Sequence, residues 1–221
     1  MPAGIALVPG LVHVPGYLDG AAQARLAAEL AVALAAAPPY TPRMPRTDRP
    51  FSVRMSNCGP LGWVSDRAGY RYQPHHPVTA APWPAIPPVA LAAWEALSGY
   101  RAPPEACLVN LYEPGARMGL HQDRDEDARD APVVSLSLGA TALFRYGGPQ
   151  RSDPTRSLRL RAGDALVIGG PARLIHHGVD RLVAEVPDLL QGAAPGPLPD
   201  FLPPGGRCNL TLRRVTRPPD A

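Results

Sequence analysis

Lysine is absent from this chain, and all 22 basic residues are arginine. Alanine and proline are abundant as well, so this bias reflects genome composition more than function. The net charge of +3 and the pI near 9.0 permit an anionic partner without demanding one. Cysteine is scarce. Cys58, Cys107 and Cys208 are odd in number and lack paired spacing, which excludes a disulfide framework, a zinc ribbon and a redox motif. They read as reduced thiols and suit a reducing compartment. No basic residue precedes Arg25, and Pro9 and Pro15 interrupt the early apolar run. Neither a secretory signal nor a membrane span is therefore expected, and a cytoplasmic location is the default. The 30 prolines and 21 glycines scatter without forming a repeat, so a loop-rich, strand-rich fold fits better than a helical bundle.

What remains suits one domain, since 221 residues at 45% hydrophobic and 19% charged can bury a sizeable core. Asp19 is placed to cap a helix through Leu26, Leu30, Ala33, Leu34 and Ala37 that Pro38 and Pro39 stop. A second helix is expected over Pro88 to Leu97, with proline in its first turn and Gly99 beyond its end. Between them, residues 41–88 are aromatic, arginine-rich and too broken for long helices, and a lid over a site is expected from about Pro45 to Pro77. After residue 106 the period changes to two. CLVNLY, PVVSLSLG, ALFRY, SLRLRAGDALVIGG, RLIHHGV and RCNLTLRRV predict short strands of a sandwich or barrel. The expected organisation is an N-terminal extension and helix over 1–44, lid and second helix over 45–106, and a β core over 107–214. Residues 180–206 are rich in proline and glycine and read as a surface excursion.

The stretch RMGLHQDRDED, Arg117 to Asp127, makes sense chiefly as metal chemistry. If it is extended, His121, Asp123 and Asp125 share one face. RLIHHGV supplies a distant imidazole. Two histidines and one carboxylate, two from a short motif and one from a separate strand, are the facial triad of non-haem iron oxygenases, which leaves three metal positions open. Metal ligands on two separate strands favour a jelly roll, whose inner face can hold a site. In the last strand Arg207, Asn209, Thr211 and Arg213 occupy one face opposite Cys208, Leu210 and Leu212. That face is either solvated or a site. Asn110 and Tyr112, again on one strand face, favour a site for a small dicarboxylate such as 2-oxoglutarate, which arginines can grip bidentately. Trp63 and Tyr70 read equally as loop anchors or as stacking platforms beside Arg67 and Arg71. His13, His75 and His76 read as packing or surface residues.

MSNCGPLGW, GYRY, CLVNLYEPGARMGLHQDRDE, APVVSLSLG, GGPQRSDP, RLIHHG and RCNLTLR together resemble the AlkB family of iron(II)- and 2-oxoglutarate-dependent dealkylating dioxygenases, from about Arg54 to Arg213. The fold this implies is mainly β with flanking helices, a double-stranded β-helix of jelly-roll type under a nucleotide-recognition lid. By resemblance His121, Asp123 and His177 bind iron and carry catalysis, while Asn110, Tyr112, Arg207, Asn209 and Arg213 hold 2-oxoglutarate. Trp63, Tyr70, Tyr72, Asp125 and Arg151 fall where the family contacts the substrate nucleotide. The implied reaction uses O2, decarboxylates 2-oxoglutarate to succinate and removes the methyl group of 1-methyladenine or 3-methylcytosine as formaldehyde. The implied partner is alkylated single-stranded DNA, with RNA and duplex DNA as further options, and the chain is expected to be a monomer away from membranes.

Two departures from the family pattern stand out: the 180–206 segment is longer, and His176 replaces an aromatic residue. Adjacent strand residues face opposite ways, so only one of His176 and His177 should reach the metal. The resemblance implies His177, which directly precedes Gly178 as the ligand does in the family. Three other readings remain: an oxygenase acting on RNA or protein, a metal-dependent hydrolase, and a silent nucleic-acid binding module. The hydrolase leaves Arg207 and Arg213 without an assigned ligand.

Overall fold

The computed structural model describes residues 4–183 and 199–218. Its centre is a seven-stranded sheet built around three strands that are buried almost throughout. β6 (Ala106–Tyr112), β8 (Val133–Gly139) and β13 (Arg207–Arg213) lie side by side, with β13 between the other two. β3 (Arg54–Cys58) pairs with β6 at one end. β11 (Ala165–Ile168), then β2 (Leu11–Val14) and β1 (Ile5–Val8), complete the other. A four-stranded sheet faces it in the order β10 (Arg156–Leu160), β9 (Thr141–Tyr146), β12 (His177–Val183) and β7 (Met118–His121). β4 (Gly62–Asp66) and β5 (Gly69–Gln73) form a separate hairpin. Two facing sheets with two external helices are the expected jelly-roll arrangement.

The major sheet owes its two faces to the alternation of its strands. Cys107, Val109, Leu111, Val134, Leu136, Leu138, Cys208, Leu210 and Leu212 form one apolar face. Both helices cover it. α1 (Gly20–Ala36) starts where Asp19 accepts a hydrogen bond from the Ala22 amide at 2.7 Å, and it buries Leu26, Leu30, Ala33 and Leu34. Each fully buried leucine contributes roughly 1.5–3 kcal/mol. α2 (Pro88–Leu97) starts at a proline, whose missing N–H costs nothing there, and seats Trp94 with its indole N–H on the Ala102 carbonyl at 3.0 Å.

Both helices thus lie where the sequence places them. The N-terminal extension and the lid are more regular than expected. Ile5–Val8 and Leu11–Val14 are the last two strands at one end of the major sheet, because His13 and the apolar residues around it pair with β11 in register. Arg54–Cys58, inside the stretch expected as lid, is a strand of the same sheet. Only the β4–β5 hairpin and its flanking loops stand apart. The run SLRLRAGDALVIGG is two strands, since Gly163 turns the chain at φ +83°. Asp180–Val183 extend β12, and Leu202 packs into the core, while residues 184–198 of the expected surface excursion lie outside the described residues. No helix among the described residues is long and apolar enough to cross a membrane.

Candidate active site

The other face of the major sheet points between the sheets, and it is polar. In register, Asn209 lies between Asn110 of β6 and Ser137 of β8, and Arg207 lies beside Tyr112. Arg207 is 1% exposed and Arg213 7%. The solvated-face reading is thereby excluded. Such burial of two guanidiniums needs partners. Arg207 donates to the Ala140 and Leu160 carbonyls at 3.1 Å and to Ser137 Oγ at 2.7 Å. Asn209 Nδ2 donates to Ser135 Oγ and the Leu136 carbonyl. Even so, Asn110 Oδ1, Arg207 Nε, Thr211 Oγ1 and Arg213 Nε are buried with no partner. All four residues line one inner cavity of about 70 Å³, together with Tyr112 and Asn209. Buried polar groups normally find partners, so a row of unmatched ones facing a common space fits a missing polar ligand.

His121, Asp123 and His177 meet at the mouth of that cavity, with one ligand atom of each within 4.8 Å of the others. β7 ends at His121, so Asp123 comes from a loop and not from a continued strand. The expectation that His121, Asp123 and Asp125 share one extended face fails at that point. RLIHHGV is likewise no uninterrupted strand: a 3-10 turn at Gly170–Ala172 leads through a further turn into β12, which starts at His177. His177 pairs directly with His121, and the ring centroids are 4.6 Å apart. Close packing of β7 against β12 accounts for the glycine after the histidine, because a Cβ at Gly178 would stand 2.5 Å from the Met118 carbonyl oxygen. His176 turns away and lines the outer cleft.

Hydrogen bonds fix the tautomers. Nδ1 of His121 faces the Gly119 carbonyl at 2.9 Å, and Nδ1 of His177 faces the Ile175 carbonyl at 3.2 Å. A carbonyl can only accept, so Nδ1 carries the proton in each ring. In the neutral rings both Nε2 atoms, each 3.6 Å from an oxygen of Asp123, offer lone pairs. Burial, followed by the neighbouring His121, pushes the His177 pKa down to about 4, which keeps it unprotonated near neutrality. Burial alone would raise the Asp123 pKa, but the Arg213 guanidinium 2.9 Å away and the two histidines outweigh it and hold the carboxyl well below the usual range. Burial alone would lower the His121 pKa, but the Asp123 carboxylate outweighs it and raises it, so this ring gives up a proton when a cation binds. Two imidazoles and one carboxylate fit a divalent iron, and the orphaned donors behind them fit a dicarboxylate.

A second space opens on the other side of the triad. The outer cleft of about 600 Å³ is lined by Trp63, Tyr70, His121, Asp123, Asp125, Arg151, His176 and Arg213 among others. Trp63 and Tyr70 stack on each other at 5.5 Å between centroids, so a guest ring can use only the outer side of the pair. The Trp63 indole N–H donates to Asp125 at 2.9 Å, and Arg151 donates to the Leu120 carbonyl at 2.9 Å. Four of the five expected substrate residues therefore surround one cleft. Tyr72 does not line it: its hydroxyl turns inward to Glu126 and lies 3.2 Å from Arg213. Glu126 and Arg173, buried beneath the triad, were not foreseen from the sequence. The acid at Asp123 plus three was present in the motif, but nothing in a charge run marks one member as buried. His76 is a satisfied loop anchor, with Nε2 on the Pro38 carbonyl and Nδ1 accepting from two amides.

This fold and triad define a class, and comparison with known proteins agrees. A family model described as the 2OG-Fe(II) oxygenase superfamily matches residues 10–213. The "Alpha-ketoglutarate-dependent dioxygenase AlkB homolog" of Caulobacter vibrioides is 50% identical over 211 residues, covering 96% of this chain and 90% of that protein. The "Alpha-ketoglutarate-dependent dioxygenase AlkB" of Escherichia coli is 47% identical over 138 residues, 61% of this chain and 64% of that one. A solved structure, "The structure of OsALKBH1", superposes with a TM-score of 0.74 at 30% identity and covers 96% of this chain and 100% of its own. The chain belongs to the AlkB family of iron(II)- and 2-oxoglutarate-dependent dioxygenases. Iron(II), 2-oxoglutarate and O2 are accordingly its metal and cosubstrates.

Proposed function

We propose that the enzyme oxidatively dealkylates N-alkylated bases, such as 1-methyladenine and 3-methylcytosine, in single-stranded DNA. The observation that carries this reading is the position of the triad between two unlike spaces, an inner one with orphaned polar atoms and an outer one with a stacked aromatic pair beside Arg151. Among relatives, one from Homo sapiens is called "Nucleic acid dioxygenase ALKBH1" and matches 43% of this chain at 32% identity. That name supports a nucleic-acid substrate.

In this reading His121, Asp123 and His177 hold iron through Nε2, a carboxylate oxygen and Nε2. Arg207 and Arg213 bind the two carboxylate ends of 2-oxoglutarate, and Asn110, Tyr112 and Asn209 fix its orientation. With iron bound, O2 would be the oxidant for both partners: one oxygen atom would enter succinate as 2-oxoglutarate loses CO2, and the other would convert the N-methyl group to N-hydroxymethyl, which is lost as formaldehyde and leaves the repaired N–H. The Trp63–Tyr70 pair stacks the target base outside its strand. Extrusion is cheapest from a single strand, where no pairing has to be broken. Asp125, beside the indole, faces the exocyclic amino group of a cationic methylated base, and Arg151 faces the phosphate backbone. Tyr72 acts from beneath the hairpin.

Incubating the protein with iron(II), 2-oxoglutarate, ascorbate and a 1-methyladenine oligonucleotide should yield succinate and formaldehyde in step with repair. Succinate without formaldehyde from this oligonucleotide, but with formaldehyde from methylated RNA or protein, would reassign the substrate.

A further inference from the structure

Glu126 is the most deeply buried acid near the site, at 1% exposure. Its Oε1 accepts from Arg213 at 2.8 Å and from the Tyr72 hydroxyl, and its Oε2 accepts from Arg173 at 3.0 Å. Both arginines then reach Asp123. Arg213 binds its carboxylate at 2.9 Å, and Arg173 donates to its backbone carbonyl. Buried ion pairs of this kind are weak stabilisers, because desolvation consumes most of their attraction, so stability alone does not account for Glu126.

Charge does. Asp123 and Glu126 against Arg173 and Arg213 give two negative and two positive charges, a neutral cluster. Without Glu126 the cluster carries one excess positive charge in a site of low dielectric. That charge repels a divalent cation and attracts a dicarboxylate. We propose that Glu126 is a charge-balancing positioning residue: by engaging Arg213 and Arg173 together, it sets how the site divides its affinity between the divalent metal and 2-oxoglutarate. This rests on the assignment of the triad to the metal and of Arg213 to the cosubstrate. It assigns Glu126 no contact with either.

The two affinities move in opposite directions, which distinguishes charge balance from a supporting role in the fold. In the full chain, Glu126→Gln should bind Mn(II), followed by electron paramagnetic resonance of the free ion, about tenfold more weakly, the effect of one uncompensated buried charge. At saturating Mn(II), 2-oxoglutarate followed by calorimetry should bind as tightly as before or tighter. Unchanged Mn(II) affinity, or parallel loss of both ligands, overturns the proposal. Glu126→Gln combined with Arg173→Gln removes one charge of each sign and should return Mn(II) affinity to within about threefold of the parent, a coupling between contacting residues. If the single variant does not fold, this neutral pair decides: recovery of folding and metal binding is expected, and its failure overturns the idea. His121→Ala separates the two levels. If it abolishes Mn(II) binding while Glu126→Gln leaves it intact, charge balance alone is wrong, whereas intact binding in His121→Ala removes the site assignment beneath it.

Discussion

The inner cavity and the outer cleft share Leu108, Met118, His121, Asp123 and Arg213 and differ in the rest of their linings. The polar wall of the inner one is built by three adjacent strands of the major sheet, where hydrogen-bond register fixes Asn110, Asn209, Arg207 and Arg213 against one another. The outer one is walled by a hairpin and loops, with Tyr70 half exposed and Arg151 and Asp125 at the surface. A ladder holds donors at constant spacing, which suits an invariant small cosubstrate. Segments appended to the scaffold suit a substrate whose sequence varies. The triad stands where the rigid and the adaptable halves meet.

The largest effect should come from the boundary itself. Alanine at His121, Asp123 or His177 should abolish 2-oxoglutarate turnover and weaken metal binding by more than about a hundredfold, beyond the range of outer-shell partners. His176→Ala should retain the metal. Loss of metal in His176→Ala with retention in His177→Ala would exchange the two histidines and break the division drawn here.

On the inner side, Arg207→Ala and Arg213→Ala should each raise the KM for 2-oxoglutarate by about a hundredfold, the cost of a charge-assisted bidentate contact. Their side effects should differ. Arg207→Ala also strips the Ala140 and Leu160 carbonyls of a donor, at roughly 1–3 kcal/mol for each unsatisfied group, and should lower Tm. Arg213→Ala frees the Asp123 carboxylate and should disturb metal binding as well. Unchanged cosubstrate dependence in both variants would leave the inner cavity without its ligand.

On the outer side, Trp63→Ala should raise the KM for oligonucleotide about tenfold, given 1–3 kcal/mol per stacked base, and leave uncoupled 2-oxoglutarate turnover nearly intact. An equal fall in both would make Trp63 a support for the fold. The smallest effect is expected at Asp125. Because its carboxylate accepts from the Trp63 indole, alanine there would disturb two things at once. Asp125→Asn keeps an acceptor and removes the charge. It should lose activity on cationic 1-methyladenine and 3-methylcytosine relative to neutral 3-methylthymine, by up to about tenfold in the ratio of kcat/KM. A uniform change across the three lesions would place Asp125 in the surface acidic run.

Sequence by itself determined the strand alternation, both helices with their caps, and the candidate ligands. Each of these is written in local period or spacing: Asp19 before an apolar helix face, proline at the start of α2, polar residues at every second position of Arg207–Arg213. Resemblance to the family, and not local period, favoured His177 over His176 through the following glycine, whose need became physical only with the Met118 carbonyl against it. Tertiary structure alone decided what those faces meet. Whether the arginine face of β13 was wet or enclosed depended on a second sheet closing over it. Asp123 reached the triad although its strand had ended, because a loop carried it there and Arg173 and Arg213 held it. The strands at Ile5–Val8, Leu11–Val14 and Arg54–Cys58 were hidden for the same reason, since short strands at the ends of a sheet are specified largely by partners distant in the chain. Glu126 shows the limit most clearly. In the run from Asp123 to Asp127 it is one acid among several, and only the convergence of Tyr72, Arg173 and Arg213, from three separate elements, takes it out of water and gives its charge leverage over the site.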